Sequence, residues 1–289
     1  MKRVFPFRGY VGTFLVVIFW LLNWNLHGLR TQWAFFPLWL GFIILIDALV
    51  YSVKGHSLIS RTKYKFIGLF LISVPVWWLF EALNYFTRNW SYLGRQYFTD
   101  FQFAILASIC FSTVIPAVFE VAELVGTSNL LNKINISKEI KINERKTYFI
   151  LITGIIMLSL IILLPGYFYF LLWLSLYLII EPVNLMLGNK NLFNFLAVGN
   201  WKPILSLTAG ALICGFFWEM WNYYSYPKWI YFLPGVNFVH IFEMPILGYL
   251  GYIPFSLELY AIYNLISGSL LKSKEEIINF NDVKIAKTN

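Results

Sequence analysis

Residues 33–53 read WAFFPLWLGFIILIDALVYSV, an apolar run with a single charged residue, Asp47. The hydrocarbon core of a bilayer takes about 20 apolar residues per helical crossing, so the run is long enough to span it. Backbone groups in hydrocarbon must satisfy their own hydrogen bonds, and a long run without polar alternation excludes a β-barrel. The stretch therefore predicts a transmembrane helix that carries a carboxyl group.

The same pattern recurs along the 289-residue chain. Further apolar runs lie at 10–26, 66–86, 101–126, 147–165, 167–187, 203–224 and 249–271. Only 12% of the residues are charged and the mean hydropathy is +0.68, whereas soluble domains are about 25% charged. We expect an all-α polytopic membrane protein of about eight transmembrane helices, without room for a soluble nucleotide-binding or receptor domain.

The distribution of basic residues predicts the topology. With the N-terminus in the cytoplasm, 18 of the 22 lysines and arginines fall on the inner side and 4 on the outer side, as the positive-inside rule requires. The first apolar run resembles a signal peptide but lacks a small-residue cleavage site, so we expect a retained helix. We predict a multi-pass protein of the inner (cytoplasmic) membrane with both termini cytoplasmic. Topology accounts for the net charge of +8, and no nucleic-acid partner is expected.

The chain contains an internal repeat. The segment EALNY at 81–85 recurs as EMWNY at 219–223, and Pro116 with Glu120 recurs as Pro254 with Glu258, all at an offset of 138 residues. An even number of helices per repeat predicts two parallel four-helix repeats related by an axis along the membrane normal. We divide the chain into a first repeat at 1–132, a cytoplasmic linker at 133–146, a second repeat at 147–272 and a cytoplasmic tail at 273–289.

Carboxyl groups within or beside the apolar runs are the most informative feature for function. They belong to Asp47, Glu81, Glu120, Glu123, Glu181, Glu219, Glu243 and Glu258. A carboxylate at the bilayer centre costs about 2.5 kcal/mol or more, so each should face the bundle interior, pair with a donor or stay protonated. The spacing Glu-x-x-Asn at 81/84, 181/184 and 219/222 places carboxyl and amide within hydrogen-bonding reach on one helix face. Such pairs could alternatively serve only to hold helices together.

Aromatic residues surround the repeated glutamates. Trp77, Trp78, Trp218 and Trp221 flank them, and Tyr85, Tyr223 and Tyr224 follow one turn on. Their ring faces could stabilise a cationic ligand or carbocation, although a single ring could equally anchor the protein at the lipid interface. The three histidines lack metal-ligand spacing, and phosphate-binding or dinucleotide motifs are missing, so neither a metal nor another cofactor is expected.

The order of these motifs resembles the membrane-integral lycopene cyclase domain of carotenoid synthesis. That family carries an acidic-Asn-Tyr motif, a Trp-x-Tyr stretch and a Pro-x-Glu-Glu motif in this order, in two domains that are fused or paired. Here the second half contains EMWNY at 219–223, WIY at 229–231 and Pro254 leading into Glu258, and the first half repeats the order. The acid stands a turn before Asn, and Glu120 and Glu258 are single residues. The resemblance covers about residues 33–126 and 167–271.

The resemblance implies a redox-neutral cyclisation of a polyene, in which an acid protonates a terminal double bond and a base removes a proton. We expect Glu81 and Glu219 as acid and base, Glu120 and Glu258 as stabilising groups, and Asn84 and Asn222 to orient the carboxyls. The expected substrate-binding residues are Asp47, Glu181, Trp78, Trp218, Trp221, Tyr85 and Tyr223. The expected partners are a lipid-like or isoprenoid small molecule and membrane lipids. The alternatives are a proton-coupled transporter or flippase of a lipid-like substrate and a non-catalytic membrane scaffold.

Overall fold

A computed structural model describes residues 4–128, 131, 134, 136–273 and 275–280, which form an all-α protein with two small antiparallel sheets. The helices are α1 (Phe7–Asn25), α2 (Thr31–Lys54), α3 (Leu58–Thr62), α4 (Lys65–Thr87), α5 (Asp100–Phe111), α6 (Val114–Gly126), α7 (Glu144–Leu163), α8 (Pro165–Phe168), α9 (Leu172–Met186), α10 (Leu192–Ala197), α11 (Lys202–Tyr223) and α12 (Tyr252–Leu265). The strands are β1 (Trp90–Leu93), β2 (Lys228–Tyr231), β3 (His240–Ile241) and β4 (Met244–Pro245).

The part of the chain that the structure describes contains seven helices long and apolar enough to cross a membrane. They are α1, α2, α4, the α5–α6 pair, α7, the α8–α9 pair and α11. This confirms the expected class of an all-α, multi-pass membrane protein.

The eighth run differs from the continuous helix expected at 249–271. It is helical but divided into a 3-10 segment at Ile246–Gly251, the α-helix α12 and a π turn at Ile266–Leu270. Pro254 has no N–H to donate to the carbonyl of Leu250, so the α-helical ladder lacks a bond where α12 begins. The 14 residues of α12 extend about 21 Å, less than the roughly 30 Å of the hydrocarbon core.

The fourth apolar run is also interrupted, between α5 and α6, where Pro116 in the first turn of α6 lacks another backbone donor. A serine from α4 compensates for the break. The Ser73 hydroxyl donates to the Phe111 carbonyl at 2.6 Å and accepts from the Ile115 N–H at 3.1 Å. A side chain from a neighbouring helix therefore holds the two helix ends together.

The helices α2, α6, α9, α11 and α12 form the centre of the bundle, whereas α1 and α7 lie at its periphery with most of their surface exposed. α1 packs against α2 at a close backbone approach. A Cβ on Gly12 would lie 2.7 Å from the Gly41 carbonyl oxygen, so the two glycines permit this contact. An exposed apolar face on each peripheral helix is what lipid contact requires.

A group of buried charges closes the end of the bundle near α3. The Arg61 guanidinium donates two hydrogen bonds of 2.6 Å to the Glu123 carboxylate, and Lys54 Nζ lies 3.8 Å from it. The chain at 275–280 covers this group, with Ile278 and Phe280 buried. Residues 275–280 of the predicted cytoplasmic tail thus pack on the helices, and 281–289 lie outside the described residues.

Candidate functional site

The opposite end of the bundle holds a cavity of about 600 Å³. It lies below the two-stranded ribbon of β1 and β2, and its wall is mainly aromatic. Contributions come from α4, β1, α9, α11, β2 and α12: Trp77, Trp90, Tyr92, Trp173, Trp218, Tyr231, Tyr252 and Phe255. The volume is in the range of sites for small apolar ligands.

An asparagine from each half fastens the ribbon to a helix end. Asn84 donates to the Trp90 carbonyl at 2.9 Å and accepts from the Trp90 N–H at 3.2 Å. Asn222 makes the same pair of bonds with Trp229, at 2.7 and 3.0 Å. We expected both amides to orient the glutamate one turn away, but they bind backbone instead, because a strand edge offers an unpaired donor and acceptor together.

The ribbon brings aromatic donors to Glu81. Its Oε1 accepts hydrogen bonds from Tyr92 Oη at 2.5 Å and from the indole nitrogens of Trp77 and Trp90 at 3.0 Å each. All three donors line the cavity, whereas the Glu81 carboxyl lies behind them. Burial, and next the neighbouring carboxyl, raise the pKa of the Tyr92 phenol, so it remains a donor at neutral pH.

Glu219 occupies the corresponding position in the second half. Its Oε1 accepts hydrogen bonds from Tyr231 Oη at 2.7 Å and Tyr252 Oη at 2.8 Å, and both tyrosines line the cavity. Its Oε2 is buried without a hydrogen-bond partner among the described residues. Burial, and next the carboxyl, raise the pKa of Tyr231. Each half thus places one carboxyl behind hydroxyl or indole donors that face a shared apolar space.

We call Glu81 with its donors, and Glu219 with its donors, the two half-sites. Stacked rings join them. Trp173 stacks on Trp90 with centroids 5.9 Å apart, and Trp218 stacks on Tyr252 at 6.0 Å. Phe255 is buried between them, 5.6 Å from Trp173 and 6.4 Å from Trp218. The interlocked rings fix the positions of the donors on the cavity wall.

Asp47 and Glu181, expected to bind substrate, lie at the other end of the bundle. Asp47 follows the cavity-lining residue Phe35 by twelve residues, about 18 Å along α2. It accepts from Arg8 Nε at 2.7 Å and from the Ile59 N–H at 2.9 Å, in the first turn of α3. Glu181 accepts from the Leu192 N–H at the start of α10. Both carboxyls therefore cap short helices, since the first N–H groups of a helix have no partner within it.

Glu120 and Glu258 are also outside the cavity wall. Glu120 is about 9 Å further along α6 than cavity-lining Val114 and lies near Asp47. Glu258 lies beside the backbone at 176–177. Both carboxyls are fully buried, and their oxygens have no side-chain partner in hydrogen-bond geometry within the described ranges.

The predicted aromatic residues divide between the cavity and other places. Trp218 lines the cavity. Trp78 donates to Ser108 between α4 and α5, and Trp221 is buried against rings of α1 and α2. Tyr85 and Tyr223 point outward, 76% and 37% exposed. Of these five aromatic residues, the structure therefore brings only Trp218 to the cavity wall.

Several wall residues were not predicted as site residues, most notably Tyr92, Tyr231 and Tyr252. A signal for the first two is present in the chain: WSY at 90–92 recurs as WIY at 229–231, the same distance after each Asn-Tyr pair to within one residue. For Tyr252 the sequence holds no comparable repeat, because its equivalent in the first half is Val114.

The cavity, its two carboxyls and the helical bundle define a multi-pass membrane protein with an apolar, aromatic-walled site. No protein-family model matches the chain, and neither the curated proteins nor the solved structures contain a match. Across the described residues no three His, Cys, Asp or Glu side chains are grouped to hold a metal ion.

Replacing Asn222 with alanine should release β2 from α11. The change removes both hydrogen bonds to Trp229, and an unsatisfied buried backbone group costs about 1–3 kcal/mol. We expect trypsin to cleave after Lys228 at least several-fold faster in Asn222→Ala than in the unaltered protein. Asn25→Ala, at an exposed helix end, is the matched control. Equal cleavage rates would show that the amide does not hold the ribbon.

Proposed function

We propose that the protein is a membrane enzyme that carries out a redox-neutral, acid–base isomerisation or cyclisation of an isoprenoid or similar polyene. One observation carries the proposal: a single apolar cavity is flanked by Glu81 and Glu219, each joined to it by donors that line the wall. The order of motifs that resembles lycopene cyclase domains supports the same chemistry.

The wall suits a reaction through a carbocation. Indole and phenol faces attract positive charge, by about 2 kcal/mol or more when water is excluded. Carboxyl groups in a low-dielectric site can supply and remove protons through the adjoining hydroxyls, and positioned acid–base groups typically contribute about 10² to 10⁴ in rate. The apolar wall also keeps water from capturing a cation.

The repeat is part of this proposal, and the register of the ribbon supports it. β1 and β2 pair antiparallel so that Trp90 faces Tyr231 and Tyr92 faces Trp229. In the repeat, Trp90 corresponds to Trp229 and Tyr92 to Tyr231. The first pair therefore becomes the second when the two halves are exchanged, as a twofold axis through the ribbon requires. An axis through the ribbon along the membrane normal is what two parallel four-helix repeats predict.

We propose that the protein lies in the inner (cytoplasmic) membrane. In this topology the ribbon is outside the membrane and both termini are in the cytoplasm. The charge distribution predicts it. We expect a reporter active only in the cytoplasm to be active when fused after Asn289 and inactive when inserted at Gly94. The same signal from both positions would refute the eight-crossing topology.

The function is tested by mass spectrometry of lipids and isoprenoids from lycopene-accumulating cells with and without the protein. An enzyme of the proposed kind converts lycopene or another polyene to a product of the same mass. The product differs from the substrate in a shorter chromatographic retention or in its absorption spectrum. Unchanged isoprenoids together with altered distribution of a lipid between leaflets would favour the transporter alternative. No change in either would favour the scaffold.

A further inference from the structure

The two half-sites share four side chains but differ in a fifth. Glu81, Asn84, Trp90 and Tyr92 correspond to Glu219, Asn222, Trp229 and Tyr231. The remaining donor is Trp77 in the first half and Tyr252 in the second. At an offset of 138, the equivalent of Trp77 is Gly215 and the equivalent of Tyr252 is Val114. Each half therefore takes its extra donor from a different helix.

The loss of the indole and the gain of the tyrosine in the second half depend on each other sterically. A Cβ on Gly215 would lie 2.5 Å from Cε2 of the Tyr252 ring. The glycine that replaces the indole thus makes room for the tyrosine. Because both changes are needed together, they form one structural difference between the half-sites.

The difference alters what each carboxyl can do. Glu81 Oε1 accepts three hydrogen bonds, two of them from indoles, which can donate but never accept. Burial favours the neutral form of any carboxyl, and three donors on one carboxyl oppose that effect more than two donors do. Glu219 is bound by two phenols, which can also accept, and its Oε2 has no partner in the described residues. Trp229 Nε1 lies near Glu219 but outside hydrogen-bond geometry.

The charged groups around each half-site agree with this difference. Near Glu219 stand the phenols of Tyr231, Tyr249 and Tyr252 and the carboxyl of Glu243, which pairs with Lys228. Because Lys228 balances the charge of Glu243, the difference that remains between the half-sites is the larger number of phenols near Glu219. Around Glu81 the titratable neighbour among the described residues is Tyr92.

We propose that the half-sites have diverged, so that Glu219 with Tyr252 forms the proton-donating side and Glu81 with Tyr92 the proton-accepting side. The inference rests on the function proposed above. Tyr252 gives its hydroxyl proton to a terminal double-bond carbon and takes the Glu219 proton, so one C–H bond forms as the π bond is lost. After ring closure a C–H proton passes to the Tyr92 oxygen while the Tyr92 proton moves to Glu81. The substrate gains and loses one proton, and exchange with water resets both carboxyls.

The protonation states can be measured without any substrate, by infrared spectroscopy of the purified full-length protein at neutral pH. The C=O stretching band of a protonated carboxyl should lose one component in Glu219→Gln and none in Glu81→Gln. Tyr252→Phe, which keeps the ring, should shift that component. Tyr148→Phe, at an exposed position on α7, is the matched control and should leave the spectrum unchanged.

Loss of a component in Glu81→Gln, or no loss in Glu219→Gln, would overturn the assignment. With lycopene in membranes as the probe, Tyr252→Phe should lower turnover at least tenfold and change the pH profile, whereas Tyr148→Phe should do neither. If the unaltered protein leaves lycopene unchanged, the proposed function fails for that substrate, while the infrared result still decides the protonation states. An unchanged pH profile in an active Tyr252→Phe enzyme would overturn the role of Tyr252.

Discussion

Glu81→Gln and Glu219→Gln should each lower isoprenoid turnover by about 10² to 10⁴ while the protein still inserts and folds. Glutamine keeps the size of the side chain and can accept the hydrogen bonds from Tyr92 or Tyr231. It cannot exchange a proton, so an acid–base role is lost while packing is retained. Turnover is measured as product per unit of folded protein in membranes that contain the polyene.

The control for this loss is Glu275→Gln, since the Glu275 side chain is exposed and pairs with the surface residue Lys65. Glu243→Gln should have a milder effect, because Glu243 contacts Lys228 at the ribbon and not the cavity donors. Full turnover by both cavity variants would exclude either carboxyl as the essential acid or base. The transporter and scaffold alternatives would then gain support.

Glu123→Ala should destabilise the protein by about 3–5 kcal/mol, the cost of breaking a buried ion pair by removing one partner. The Arg61 guanidinium would lose two hydrogen bonds of 2.6 Å and remain largely buried. The backbone N–H of Asn279, which donates to Glu123 at 3.3 Å, would also lose its acceptor. We therefore expect the covering segment at 275–280 to loosen together with the bundle end.

The measurement is the unfolding midpoint of the detergent-solubilised protein in a denaturant titration. Glu139→Ala is the control, because Glu139 forms an exposed ion pair with Lys141 that is worth less than about 1 kcal/mol. A midpoint for Glu123→Ala equal to that of the control would mean that the buried pair adds nothing to stability. Activity need not follow this change, since Glu123 is on α6 far from the cavity wall.

Much of the helical framework could be predicted from the sequence, and the exceptions have physical causes. The run at 33–53 became the centre of α2, because the required span of a bilayer sets a length that hydrophobicity reveals. At 249–271 hydrophobicity predicted a single helix, but the segment divides into three kinds of helix, and Pro254 lies where the first of them gives way to α12. A hydropathy pattern does not show where a proline removes a backbone N–H donor.

The site could be predicted only in part. Glu81 and Glu219 were singled out by their repetition, and the structure places both behind the cavity wall. Asn84 was assigned to the nearby carboxyl because the spacing permits contact, yet it binds the Trp90 backbone, where one amide satisfies a donor and an acceptor. Helical spacing predicts which side chains on one helix are close enough to bond. It does not predict whether a group from elsewhere in the chain, such as the Trp90 backbone, is the preferred partner.

The sequence by itself determined that this is a helical membrane protein and that carboxyl groups lie within its membrane-spanning runs, since both follow from composition along single segments. Only the tertiary structure decided which carboxyls lie behind the cavity wall and which cap helices. Asp47 meets the N–H of Ile59 and Glu219 meets Tyr252, 33 residues away, through the packing of separate helices. A hydrogen bond between distant segments depends on how the helices pack, and that arrangement is a property of the whole bundle.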